Sequence, residues 1–99
     1  MNSNPLNVIK ELDLSLFDQI GDAHKLAFKD GEISKKNKLL IALAIDAAKH
    51  SEDGIKSLAI QALESGATKN EIMETLRIVN FICGVGSMYA SAVALKDIL

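Results

Sequence analysis

A run of side chains that can exchange protons lies in the middle of the chain. His50 is its centre, and the residues around it are polar: Asp46, Ser51, Glu52 and Asp53. A histidine takes up and releases a proton near neutral pH, and a carboxylate beside it can orient its ring for general acid–base chemistry. This pattern predicts a catalytic role for His50, with Glu52 or Asp53 orienting it. The competing and commoner interpretation is a histidine that only complements the dipole at a helix C-terminus.

Asp46 is the one charged residue in an otherwise apolar stretch from Leu39 to Ala48. A buried charge is costly unless it is paired. The side chain therefore either finds a cationic partner, such as Lys49 or Lys38 across a subunit contact, or points into a polar cavity, and both alternatives stay open. Asp46 is a candidate ligand-binding residue on this basis, and Ser51 is another because it lies at the junction of the third and fourth helices.

Two other polar residues have competing interpretations. Glu74 is a candidate ligand-binding residue that faces a pocket across from His50, but a surface pair with Arg77, three residues later, is the favoured interpretation. His24 lies on an apolar stripe. That position is more typical of a core or interface histidine than of a residue in a pocket wall.

The chain has one cysteine, Cys83, so it can form no intramolecular disulfide and holds no Cys-x-x-Cys pair. The neighbours of Cys83 in sequence are apolar and none is cationic. These neighbours predict a buried, unreactive thiol rather than a nucleophile. Cys83 is nevertheless kept as a candidate ligand-binding residue. His24 and His50 match no metal-ligand spacing, and no phosphate-binding loop is present, so no metal or cofactor is predicted.

Composition limits the class of protein. The 99 residues make one domain that is 48% hydrophobic and 24% charged, with a net charge of −2. No basic stripe predicts nucleic-acid binding, and no apolar run approaches the roughly 20 residues that cross a bilayer. The first residues do not resemble a signal peptide. We therefore expect a cytoplasmic protein without nucleic-acid or membrane partners, and its apolar excess predicts self-association.

Apolar periodicity predicts about six helices and no strand, which is an all-α, single-domain helical bundle. The first helix, with Pro5 at its first position, lies in an N-terminal segment of residues 1–14. The other helices form a domain of residues 15–99. The stretch from Leu39 to Ala48 is apolar nearly all round, which predicts a central helix buried on every side.

Residues that favour helix ends separate the predicted helices. Ser34 and Ser51 are predicted N-caps, and Thr68 forms a predicted capping box with Glu71. Two glycines are predicted to end helices: Gly31 and Gly66. The fifth predicted helix has an apolar stripe: Ile72, Leu76, Val79 and Ile82. The sixth has an edge of small residues: Ser87, Ala90, Ser91 and Ala94.

Three segments carry a family resemblance that covers roughly Phe17 to Leu99. They are Lys36-x-Lys38-Leu39-Leu40-Ile41-x-Leu43-Ala44, then Ala62-Leu63-x-x-Gly66-Ala67-Thr68-x-x-Glu71-Ile72-x-Glu74-x-Leu76, and finally Ile82-Cys83-Gly84-Val85. They resemble the carboxymuconolactone decarboxylase and alkyl hydroperoxidase D family. The resemblance implies an alkyl hydroperoxidase D-like helical fold and a homo-oligomer, a trimer or a hexamer.

The resemblance also implies which chemistry is missing. The Cys pair of the redox branch falls on Ser51 and Gly54, and the proton-transferring His and Glu of that branch fall on Leu58 and Leu39. A hydroxyl cannot replace a thiolate in disulfide exchange, and leucine transfers no proton. The decarboxylase branch needs no Cys pair, and Glu52 falls among the charged residues that follow its central helix.

We therefore interpret the chain as a carboxymuconolactone decarboxylase-like protein without the peroxidase Cys pair. If it is an enzyme, which the sequence leaves open, acid–base chemistry on a lactone or a small organic acid is the favoured activity. One alternative is a non-catalytic ligand-binding or scaffold oligomer of the same fold. Another is a peroxidase-related redox protein that uses Cys83.

Overall fold

The computed structural model describes residues 4–99, which contain six α-helices and no strand. The prediction of an all-α helical bundle is confirmed. In chain order the helices are α1 Asn7–Leu12, α2 Leu14–Phe28, α3 Lys35–Ala48, α4 Glu52–Glu64, α5 Lys69–Cys83 and α6 Gly86–Leu95.

The core forms where α3, α4, α5 and α6 meet, and α3 contacts each of the other three. Its largest members are aliphatic and have no exposed surface: Leu43, Ile55 and Ile72. The predicted small-residue edge of α6 is confirmed, since all four of its members are buried: Ser87, Ala90, Ser91 and Ala94. Small side chains let the backbone of α6 approach its neighbours closely, which brings its N-terminal end to the candidate site.

The apolar helix α3 is buried on one side only. Leu39, Leu43 and Ala47 face the core, whereas Ile41 is 49% exposed and Ile45 is 55% exposed. The prediction of a helix buried on every side is therefore wrong for the single chain, because no other helix of residues 4–99 covers the outer face. An apolar face of this kind marks a contact surface more often than a solvated one.

Most of the predicted helix ends are confirmed. The Ser34 hydroxyl accepts a hydrogen bond from the N–H of Asn37 at 3.2 Å. The capping box at α5 is complete, with Thr68 and Glu71 bonded reciprocally at 2.9 and 3.0 Å. Gly66 ends α4 with a φ of +100°. Ser51 occupies the N-cap position of α4, but its side chain makes no capping hydrogen bond.

Two predicted helix ends are wrong. Pro5 lies in a turn before α1 rather than at its first position. Gly31 does not have a positive φ, and α2 ends instead at Lys29 in an extended conformation. The reason is local. The Asp30 carboxylate accepts a hydrogen bond from the N–H of Lys35 at 2.6 Å, and this bond connects the end of α2 directly to the start of α3.

Glu71 also ties α5 to α3, and this tie makes stability pH-dependent. The Lys36 ammonium donates a hydrogen bond to its carboxylate at 2.8 Å. This bond, followed by the backbone N–H of Thr68, holds the pKa of Glu71 below its ordinary value of 4.5. A carboxyl group whose pKa is lowered by folding stabilises the protein above its unfolded pKa, and this contribution is lost as pH falls through the folded pKa.

We expect the free energy of unfolding to fall between about pH 6 and about pH 3, and Glu71→Gln to remove part of that fall. Urea unfolding at several pH values measures it. The matched control is Glu74→Gln, because Glu74 is exposed and makes no hydrogen bond or ion pair within residues 4–99. Equal pH profiles for the wild type and the Glu71 variant would contradict the assignment.

Candidate functional site

His50 ends α3 in the left-handed conformation, with a φ of 58°. Its N–H donates to the carbonyl of Ala47 at 3.1 Å, and the N–H of Ser51 donates to the carbonyl of Asp46 at 3.0 Å. These two bonds are a Schellman motif, in which the left-handed residue is usually glycine. The same motif ends α4, and there the residue is Gly66.

The histidine at this position carries a conformational cost. A residue with a Cβ in the left-handed region loses about 1–2 kcal/mol relative to a right-handed one. Glycine would fit without that cost, as Gly66 does at the end of α4. Strained polar residues of this kind concentrate at functional sites. The backbone geometry thus singles out His50 independently of its chemistry.

The ring of His50 is held by the start of α6. Its Nε2 atom lies 3.3 Å from the hydroxyl oxygen of Ser87, within hydrogen-bond distance. Ser87 has no exposed surface, and its carbonyl accepts a hydrogen bond from Ser91 at 2.8 Å. The ring also lies against Gly86, where a Cβ would come within 3.3 Å of its Cε1 atom. Ser87 is too buried to meet a substrate, so it can only position the imidazole.

The carboxylates predicted to orient His50 do not do so in this structure. Glu52 and Asp53 are exposed in the first turn of α4. Within residues 4–99 neither makes a hydrogen bond or an ion pair with the ring. Ser87, which sequence reasoning placed on the small-residue edge and not in the site, takes that place. The only sequence signal for it was that edge, which brings the start of α6 close to its neighbours.

Asp46 lies half-buried against the start of α4. A Cβ on Gly54 would come within 2.9 Å of the Asp46 carboxyl carbon and would collide with its Oδ2 atom. In the part of the chain that the structure describes, Asp46 forms no ion pair with Lys38 or Lys49. The ammonium of Lys38 instead donates to the carbonyl of Lys29 at 2.8 Å. The close approach to Gly54 fixes the position of the Asp46 carboxylate, and a lysine partner across a subunit contact stays a prediction.

We expect Gly54→Ala to lower the free energy of unfolding by about 1 kcal/mol or more, because the collision with Asp46 outweighs the helix propensity gained. The double variant Asp46→Ala/Gly54→Ala relieves the collision and should recover that loss. Urea unfolding measures both effects.

Gly21→Ala is the matched control for Gly54→Ala. Gly21 also lies inside a helix, and a Cβ there would meet nothing within 4 Å. It should be stabilising by up to about 1 kcal/mol, in line with helix propensity. If Gly54→Ala behaves like Gly21→Ala, Asp46 does not pack where we place it.

The end of α5 is exposed, which contradicts two predictions. Ile82 is 72% exposed, and Cys83 is also exposed rather than buried. The buried stripe of α5 ends at Val79, so its last turn lies outside the core. This turn and the start of α6 present large apolar side chains, which we call the α5–α6 face: Ile78, Phe81, Ile82, Val85 and Tyr89.

None of the positions that the redox branch would use carries a thiol, an imidazole or a carboxylate: Leu39, Ser51, Gly54 and Leu58. Leu39 is 1% exposed and belongs to an apolar cluster against which Leu58 packs. No proton relay can run through this pair. Glu74 is exposed on α5 and, within residues 4–99, makes no ion pair with Arg77. The favoured surface pair is therefore absent.

Two further observations concern ligands and membranes. Within residues 4–99, no three His, Cys, Asp or Glu side chains come together in a way that could hold a metal ion. None of the helices in the same residues is both long and apolar enough to span a bilayer.

The sequence and the fold are similar to those of known proteins. The family model for the carboxymuconolactone decarboxylase family matches residues 15–97. The fold is similar to the crystal structure of an apo carboxymuconolactone decarboxylase family protein from Legionella pneumophila, with a TM-score of 0.86 and 30% sequence identity. That similarity covers 92% of this chain and 81% of the other. No curated protein matches the sequence.

Proposed function

The chain belongs to the carboxymuconolactone decarboxylase family, and from this we propose that it is a homo-oligomeric enzyme that performs acid–base chemistry on a lactone or small organic acid. His50 is the proton-transferring residue. One observation carries the proposal: an imidazole that remains exposed is held by a strained backbone and by the buried Ser87 hydroxyl. The substrate class comes from the family.

The two ring nitrogens of His50 have different roles in this proposal. Nε2 faces Ser87, so that hydroxyl fixes the orientation of the ring. Within residues 4–99, Nδ1 makes no hydrogen bond, and it is the atom we assign to the substrate. A positioned imidazole that moves a proton in the transition state contributes about 10²–10⁴-fold to the rate. Glu52 and Asp53 then contribute negative charge near the ring and do not orient it.

Assembly into a trimer or hexamer is the second part of the proposal. The α5–α6 face is largely exposed, with Phe81 at 86% and Tyr89 at 73%. The outer face of α3 adds Ile41 and Ile45. Ile78, Phe81 and Ile82 lie at three- and four-residue steps on one side of α5, and an exposed apolar stripe of this kind is typical of a protein interface. Because Val85 directly precedes Gly86, which touches the His50 ring, a partner on this face would border the site.

A second candidate function is a non-catalytic ligand-binding or scaffold oligomer. Two observations favour it. Leu58 packs against the Leu39 cluster, and within residues 4–99 no carboxylate bonds to the His50 ring. A protein of this kind would keep the assembly and lose the turnover. The cytoplasmic location and the boundary between residues 1–14 and 15–99 stay predictions.

The test is turnover by the purified protein. Carboxylated γ-lactones and small organic acids are incubated with it and followed by proton NMR. Acid–base catalysis predicts that at least one is consumed, or exchanges a carbon-bound proton with solvent, faster than without protein. If none reacts, while native mass spectrometry shows an oligomer, the non-catalytic function replaces the one proposed.

A further inference from the structure

A pocket lies between α2, α3 and α4, at the opposite end of α3 from His50. Its volume is about 400 Å³, within the range of small-molecule sites. Leu39 lies at its floor, eleven residues before His50, which is the second residue after α3. At about 1.5 Å per helical residue the two sites are roughly 16 Å apart. The pocket is therefore separate from the candidate active site.

One wall of this pocket is aromatic. His24 and Phe28 lie one turn apart on α2, with ring centroids 4.8 Å apart and planes tilted by 42°. The Leu39 side chain is almost wholly buried beneath them. Aromatic faces and edges of this kind favour stacking against another flat ring. The wall and floor therefore suit a small planar apolar group.

The rim of the pocket is cationic. Lys25, Lys29 and Lys35 line it, and Asp30 is the one acidic residue among those that do. The Asp30 carboxylate already accepts the N–H of Lys35. Within residues 4–99, none of the three lysines forms an ion pair. Three lysines and one carboxylate give the rim a net positive charge, which attracts an anion.

We propose that this pocket binds a small aromatic carboxylate, with the ring against His24 and Phe28 and the carboxylate among the three lysines. A neutral aromatic molecule would use only the wall, and a small inorganic anion would use only the rim. The proposal does not depend on the activity assigned to His50. It gives the lysine-rich end of α2 a role that the proposed function leaves unexplained.

Benzoate is the probe, titrated into the ¹⁵N-labelled full chain and followed by NMR. We expect saturable shifts at His24, Phe28 and Lys35, with a dissociation constant on the order of 1 mM. Benzamide, the neutral analogue, and inorganic phosphate should each bind at least tenfold more weakly. Raising the salt from about 50 mM to about 500 mM should weaken benzoate binding at least threefold, because salt screens exposed charges.

The variant Lys25→Gln/Lys29→Gln should weaken benzoate binding at least tenfold. The charge-matched control is Lys49→Gln/Lys56→Gln, which removes two exposed lysines outside the pocket and should leave binding unchanged. The proposal is overturned if benzoate gives no saturable shifts, or if its shifts lie at His50. Equal binding of benzamide or phosphate, or equal loss in the two double variants, overturns it as well.

Discussion

Replacing Phe81 by glutamate is expected to convert the proposed homo-oligomer into monomers. Phe81 is 86% exposed on the α5–α6 face, with Ile82 next to it in the chain and Tyr89 eight residues later. In an oligomer that buries this face, the substitution places an unpaired charge in an apolar contact, which costs several kcal/mol per subunit. The fold of the subunit should not change, because Phe81 does not belong to the described core.

Sedimentation velocity of the wild type and the variant measures this effect, with circular dichroism to confirm that the helices remain. The matched control is Leu12→Glu, which changes a leucine that is 81% exposed on α1, outside the α5–α6 face. We expect that control to keep the wild-type mass. A Phe81→Glu protein that stays oligomeric, or a wild type that is already monomeric, would show that this face is not the interface.

Replacing His50 by asparagine is expected to reduce kcat/KM at least 100-fold, in line with the usual contribution of a general acid or base. Asparagine tolerates the left-handed conformation that His50 adopts but cannot carry the proton. His50→Gly is a useful second variant, because glycine removes the backbone strain, and this gain offsets the lost hydrogen bond to Ser87. Loss of activity in both variants could then not be attributed to unfolding.

Ser87→Ala gives a different result from either His50 variant. It keeps the imidazole but removes the hydroxyl that holds it at 3.3 Å. A positioning role predicts a partial loss of kcat with little change in KM.

The features that sequence reasoning predicted well are local ones. The capping hydroxyl of Ser34, the box formed by Thr68 and Glu71, and the positive φ of Gly66 each depend on residues within four positions. Hydrogen bonds over such short distances need no packing against distant parts of the chain. The helices and their order followed from the same short-range signals.

The features that were missed depend on contacts between distant parts of the chain. His50 and Ser87 are 37 residues apart, and only the packing of α6 brings them together. Periodicity likewise shows that Ile82 and Val79 share a helix face, but not that the core ends between them. The left-handed backbone at His50 was also missed, because the signal for such a helix end is a glycine and this position has a histidine.

The most direct test of the account is kcat/KM for the wild type, His50→Asn and Lys49→Asn on the same substrate, followed by proton NMR. Lys49 is the neighbouring exposed residue and has no assigned role. We expect a loss of at least 100-fold for His50→Asn and a change within about twofold for Lys49→Asn. Equal activity of His50→Asn and the wild type would contradict the account, because turnover would then not use the imidazole that α3 and Ser87 hold in place.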